Sequence, residues 1–265
     1  LNLDSEDEGE LFIGCAGGKD TRILMNYSKV AVNYDFAGYQ IKVSGLLGGH
    51  SGDDINKGRG NAVKILNRLL WSGSHLFEVR ISEIDGGNLR NAIAREAFAN
   101  IIVQFVRKFN ATLKEEFRIN EPDLLISYHP TELPSFLIDL STQERLLNAL
   151  YACPHGVITM SADVPNFVET STNLASVKMT DKTIEIGTSQ RSSSESGKED
   201  VLNMVESVFR LAGGKISHND GYPGWTPNPS SPILEVTRNS YFKLFKSEPK
   251  VLAIHAGLEC GLIGE

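Results

Sequence analysis

Two hundred and sixty-five residues are enough for one large domain or two ordinary ones around a buried core. Apolar residues make up 41% and charged residues 22%, the balance of a soluble globular protein, and the net charge of −7 argues against a nucleic-acid binder, which needs a basic face. No apolar run approaches the roughly 20 residues of a membrane span, and the scattered Cys15, Cys153 and Cys260 form neither a disulfide framework nor a CxxC metal site, which points to a reducing, cytoplasmic setting.

The opening, LNLDSEDEGELFIGCAGG, reads as a short strand, an acidic turn and a second strand ending at a glycine break. YQIKVSGL then alternates like a half-buried strand, and GNAVKILNRLLW puts Val63, Leu66, Leu69 and Leu70 on one helical face. LFEVRISEIDGG and EAFANIIVQF follow as strands, residues 105–117 as a helix, and DLLISYHPT as another strand. That order, β-α-β-β-α-β, is the ferredoxin-like split pattern.

After Pro134 a looser copy begins with a helix at 141–150, where Ser141 is the expected N-cap and Glu144 completes a capping box. NFVETSTNLASVKM and TIEIGTSQR are strands joined at Thr180-Asp181, and KEDVLNMVESVFRLAGG is a helix stopped by glycines. The expected fold is therefore α+β with two ferredoxin-like β-α-β halves. DGYPGWTPNPSSP is a linker, followed by an amphipathic helix at 233–245 and the strand KVLAIHAG. The final helix-and-strand unit and the first hairpin are expected to belong together, with the middle inserted between them. The chain starts at Leu1 rather than Met and stops at Glu265 just after an apolar run, which leads us to expect an interior segment of a longer protein.

Several residues carry candidate chemistry. The acidic run from Asp4 to Glu10 imitates the start of an EF-hand, but the twelfth position is Cys15 instead of a bidentate Glu. Asp4 remains as a carboxylate at the exit of an apolar strand, a place where α/β enzymes bind metal; a solvated turn is the plainer alternative. Gly49-His-Ser-Gly-Asp53 approaches the G-x-S-x-G nucleophile elbow around Ser51, yet Asp53 replaces the last glycine. His50, an ionisable ring among glycines that allow close backbone approach, is a donor for developing negative charge or simply a loop histidine.

Asn91 sits in a turn, GGNLRN, where its amide serves the turn or meets a carbonyl or carboxylate. Arg191 ends a strand beside serines, as a two-pronged carboxylate clamp or as a surface residue. IHAGLECG closes a strand in a small-residue loop carrying His255, Gly257 and Glu259, the position where α/β sheets present ligands. His75, His129, His155 and His218 have no partner at ligand spacing and read as surface or structural.

DSEDEGELFIGCAGG, GLLGGHSGDDINKGRGNA, GGNLRNAIAREAFA, GYPGWTP and HAGLECGL, in that order, resemble the aminoacyl-histidine dipeptidases of the M20 metallopeptidase family. The resemblance implies a zinc-dependent dipeptidase, cytoplasmic and homodimeric, with an α/β catalytic domain holding two zinc ions and interrupted by a lid. Residues 1–17 would be a catalytic-domain fragment, 18–224 the lid and 225–265 the return into the catalytic domain. Asp4 falls on a zinc-ligand carboxylate, and His50 on the lid histidine that helps hold the scissile carbonyl and its oxyanion. Asn91 and Arg191 fall on substrate-binding positions, Arg191 through the C-terminal carboxylate; Gly257 and Glu259 fall in a substrate loop.

Family members commonly carry proline where this chain has Ala94. The family's other zinc ligands and its catalytic base have no counterpart here, so the resemblance implies activity for an intact parent and none for this segment alone. A non-catalytic lid or dimerisation module is the competing reading; a serine hydrolase at Ser51 is the third.

Overall fold

The computed structural model describes residues 8–32, 35–103 and 110–263. In chain order these form β1 (Glu10–Cys15), β2 (Gly17–Asn26), β3 (Lys29–Val30), β4 (Ala37–Ser44), β5 (Gly49–His50), α1 (Ala62–Phe77), β6 (Arg80–Gly86), β7 (Ala92–Ile93), β8 (Ala97–Val103), α2 (Asn110–Glu116) and β9 (Leu125–Thr131). There follow β10 (Leu137–Ile138), α3 (Leu140–Ala152), β11 (Gly156–Met160), β12 (Val168–Met179), β13 (Thr183–Ser192), α4 (Glu195–Leu211), β14 (Lys215–His218), α5 (Pro232–Phe245), β15 (Lys250–Ile254) and α6 (Glu259–Ile263).

Helix α1 forms where the apolar periodicity predicts it. Its N-cap is Asn61, whose side-chain oxygen accepts from the Val63 N–H at 3.0 Å and the Lys64 N–H at 3.2 Å. Glu78 closes it in the left-handed region, φ 53°. Val63, Leu66, Leu69 and Leu70 are all buried against the sheet, each such burial contributing about 1.5–3 kcal/mol. The cap of helix α3 lies two residues before the expected one. Asp139, not Ser141, is the N-cap: its carboxylate accepts from the Thr142 N–H at 2.9 Å and also from the Ser28 N–H at 2.9 Å. A carboxylate that ties two segments outcompetes a serine already inside the first turn.

The sheet resolves into two units of the same topology. In the first, β4-α1-β6-β8-α2-β9 is contiguous in sequence, and its strands lie in the spatial order β9-β4-β8-β6. In the second, the strand order β14-β2-β13-β12 has the identical pattern when β2 is counted as its opening strand. All these pairings are antiparallel. Two ferredoxin-like halves are therefore present, but the second does not begin after Pro134: its first strand precedes the whole first unit, which is inserted into it. Strands β6 and β12 abut at Val177 opposite Gly86 and merge the halves into one sheet.

β2 occupies what read as a glycine break. Thr21, Ile23 and Met25 are buried and alternate with the more exposed Arg22, Leu24 and Asn26, a period-two pattern that starts three residues after Gly18. Helices α1 and α3 cover the same core; the Lys64 ammonium donates to the carbonyls of Leu150, Tyr151 and Cys153 at the end of α3.

The chain's two ends meet. β1 and β15 pair in parallel, with Glu10 opposite Lys250 and Phe12 opposite Leu252. The expected linker is not a free connection, because Tyr222 pairs with Gly18 and Trp225 with Cys15. Helix α5 buries none of its residues, and Ile233, Val236, Leu244 and Phe245 stand exposed. No helix among the described residues is long and apolar enough to cross a membrane. The strand expected ahead of the acidic turn, with Asp4, lies outside the described residues, as do positions 105–109 of the expected helix.

Candidate functional site

Three of the proposed site residues are brought together where the two units meet. β5 pairs with β7, placing His50 opposite Ala92, and the Ser51 N–H donates to the Asn91 carbonyl at 2.8 Å. The His50 and Asn91 loops are thus one two-stranded element. The glycines before His50 serve this construction rather than an open approach to ligand. A Cβ at Gly49, where φ is +144°, would collide with the Arg59 guanidinium and the Asp54 carboxylate. Asp54 accepts from the His50 N–H at 2.8 Å, and its pKa is lowered chiefly by its bond from Lys57.

The His50 ring turns towards Asp53: Nδ1 lies 3.0 Å from the carboxylate and accepts from the Asp53 N–H at 3.3 Å. Nε2 has no hydrogen-bond partner among the described residues and remains available as a donor or acceptor. Ser51 is buried, 1% exposed, with its Oγ unpartnered among the described residues. Neither nearby imidazole serves it, because His50 engages Asp53 and His255 engages Ser171. A nucleophile needs both access and a base; Ser51 has neither.

Arg191 lies inside the sheet, opposite Ser171 of β12 and Gly18 of β2, and is only 7% exposed. Its Nη1 donates to the Tyr222 phenol oxygen at 3.0 Å, while its buried Nε has no partner among the described residues. Arg191 and Asn91 line one cavity of about 350 Å³ with Lys19, Asp20, Arg90, Ser189, Asn219 and Tyr222. At its rim Arg90 pairs with Asp20 at 2.8 Å, and the Asn219 amide donates to the same carboxylate at 3.2 Å. Asn173, beneath, donates to the Ala92 carbonyl at 2.8 Å and the Arg90 carbonyl at 3.3 Å, gripping the backbone on both sides of Asn91.

His255 joins the groups. Its Nε2 lies 2.7 Å from the Ser171 hydroxyl, its ring meets Phe167 edge-on, and its carbonyl packs where a Cβ on Gly52 would have to go. Burial, then the charges of Arg191 and His50, push its pKa down to about 3, so it is neutral at physiological pH. Gly257 follows two residues later and touches the Tyr222 ring rather than lining the cavity; Glu259 opens α6 and also stays outside the lining. Asp4 is outside the described residues. Tyr222, Asn173 and Ser171 are support the sequence reading missed, because each acts on a residue at least 20 positions away or through the backbone.

Among the described residues there is no cluster of three or more His, Cys, Asp or Glu placed to hold a metal. The partners of His50 and His255 are one carboxylate and one serine, so these residues do not fit a two-zinc centre.

A family model described as a peptidase dimerisation domain of the M20 type matches residues 41–118, within the first ferredoxin-like unit. The cytosol non-specific dipeptidase of Escherichia coli (strain K12) is 38% identical over 271 residues, covering 99% of this chain and 56% of that protein. The crystal structure of aminoacylhistidine dipeptidase from Vibrio alginolyticus superposes with a TM-score of 0.93 at 36% identity, covering 98% of this chain and 55% of that one. The chain is similar to M20 peptidases, sharing their dimerisation domain over residues 41–118. It spans a little over half the length of these relatives of the family. Its mixed α/β fold is that of the Vibrio aminoacylhistidine dipeptidase.

Proposed function

We propose that this chain supplies the substrate-holding part of a dipeptidase that acts on Xaa-His and related dipeptides. The observation that carries the reading is the buried Arg191 guanidinium, with an unsatisfied Nε, sharing a 350 Å³ cavity with Asn91. A buried, unpaired cationic donor is costly and is relieved by an anionic ligand. A dipeptide offers one as its C-terminal carboxylate. Asn91 offers its amide to the same ligand, and in this reading the His50 Nε2 donates to the scissile carbonyl oxygen as it gains negative charge.

Residues 18–224 act as a lid in this reading, and 1–17 and 225–265 belong to the catalytic domain beneath it; the β1–β15 pairing and the Cys15–Trp225 bridge support that division. The two zinc ions of the reading are held by groups outside the described residues, Asp4 among them, and the 265-residue chain alone hydrolyses no dipeptide even with zinc added. Gly257 and Glu259 stand behind the cavity in this reading, in the loop that backs the Tyr222 ring. A homodimer is part of the reading, supported by the dimerisation-domain match, and so is a cytosolic setting, supported by the name of the Escherichia coli relative.

The test is kinetic, in the full-length enzyme that carries this chain. Arg191→Ala should raise KM for a free-acid dipeptide about a hundredfold, the loss of a two-pronged charged contact. It should leave the already poor KM of the corresponding dipeptide amide unchanged. Equal effects on acid and amide would refute the carboxylate reading.

A further inference from the structure

Tyr222 is more than a wall of the cavity, because it touches three parts of the site. Its phenol oxygen accepts from Arg191 Nη1 at 3.0 Å. Its backbone is fixed on both sides: its N–H donates to the Gly18 carbonyl at 2.8 Å, and its carbonyl accepts from the Gly18 N–H and the Lys198 ammonium, each at 3.0 Å. The ring occupies a slot that exists because two residues lack side chains. A Cβ on Gly18 would come within 2.6 Å of the phenol end, and one on Gly257 within 2.8 Å of the ring edge. A side chain at either place would displace the ring, so these glycines answer to Tyr222.

A guanidinium has five N–H donors in a rigid plane, and it reads a carboxylate two-pronged only if the plane is held at the right angle. In β13 the Arg191 stem is set by the sheet, but the plane still rotates about the last side-chain bonds. The Tyr222 phenol removes that freedom by taking one Nη1 donor, and Nε is left buried and unpartnered among the described residues, in a side chain that lines the cavity. We propose that Tyr222 is a positioning residue: it fixes the Arg191 plane so that its unpaired edge faces the carboxylate of a bound ligand, and the Gly18–Gly257 slot fixes Tyr222. The inference rests on the proposed carboxylate-reading role of Arg191. It adds that the loop of Gly257 acts on the substrate through this ring.

The test compares Tyr222→Phe with wild type and Arg191→Ala in the full-length enzyme. Phe keeps the ring in its slot and removes only the phenol oxygen. Tyr222→Phe should raise KM for a free-acid dipeptide about tenfold, the usual weight of one hydrogen bond to a charged group, with kcat within twofold. It should have no effect on the dipeptide amide, and none when added to Arg191→Ala. Calorimetry with a reduced-amide dipeptide isostere, which is not hydrolysed, should show the same tenfold loss for the free acid alone.

Gly257→Ala, which crowds the edge of the ring and disturbs its bond to Arg191, should reproduce the acid-selective loss. A Tyr222→Phe enzyme that matches wild type on the free acid, while Arg191→Ala still loses acid-selective binding, overturns the positioning role alone. Equal losses on acid and amide reduce Tyr222 to a packing residue. If Arg191→Ala itself shows no acid selectivity, the carboxylate reading fails and the positioning role falls with it.

Discussion

The two ferredoxin-like units share a strand order but contribute to the site in different ways. The first unit, unbroken in sequence, offers His50 and Asn91 from loops joined as β5 and β7; both are solvent-accessible, the His50 side chain by 33%. The second unit, split by the first, offers Arg191 from the interior of β13, 7% exposed and pinned by Tyr222. Identical topology thus yields one accessible and one buried contribution. Groups that meet a changing charge belong on the accessible edge, while a group that reads a permanent charge works best preorganised and dry.

The comparison breaks most visibly at His50. His50→Ala in the full-length enzyme should lower kcat about a hundred- to a thousandfold, the cost of one oxyanion donor, with the fold's melting temperature almost unchanged. Near-normal turnover would leave the first unit without a chemical role.

The comparison is also sharpened by pH. His155, whose Nδ1 accepts from the Leu174 N–H at 3.2 Å, has its pKa pushed down to about 4 by burial and then by Lys64; that of His255 falls to about 3. Both are neutral when folded but take up a proton near pH 6.5 when unfolded, so the unfolded state binds more protons between pH 6.5 and about 3–4. Stability should be complete above pH 6.5 and fall as pH drops through that window, by a few kcal/mol in all. His155→Gln should flatten the upper part of a denaturant-midpoint curve against pH; an unaltered slope would show that His155 is not held neutral.

Ser51→Ala should have the smallest effect, less than twofold on kcat/KM, since its buried hydroxyl has no base beside it. Complete inactivation would instead restore the nucleophile-elbow reading.

Much of this was legible in the chain itself. The helical spacing of Val63, Leu66, Leu69 and Leu70 predicts α1, and the alternation of YQIKVS predicts β4, because each pattern is local. β2 was hidden by its two leading glycines, although Thr21, Ile23 and Met25 carry the strand period. Its place as opening strand of the second unit depends on pairing with β13, more than 150 residues away, which no local pattern encodes. The same holds for the site. Arg191 and Asn91 are recognisable as residue types at turns and strand ends, but the His255–Ser171 contact spans 84 residues and is set by the fold alone. The glycines of GLLGGH suggest room for a ligand in sequence, but Gly48 and Gly49 make room for Arg95, Arg59 and Asp54.

The central claim is that the buried edge of Arg191 reads a substrate carboxylate. A crystal structure of the full-length enzyme with a reduced-amide dipeptide isostere tests it most directly. The account predicts a carboxylate oxygen within about 3 Å of Arg191 Nε and another facing Asn91. A carboxylate bound elsewhere, with Arg191 Nε still unpartnered, would contradict it.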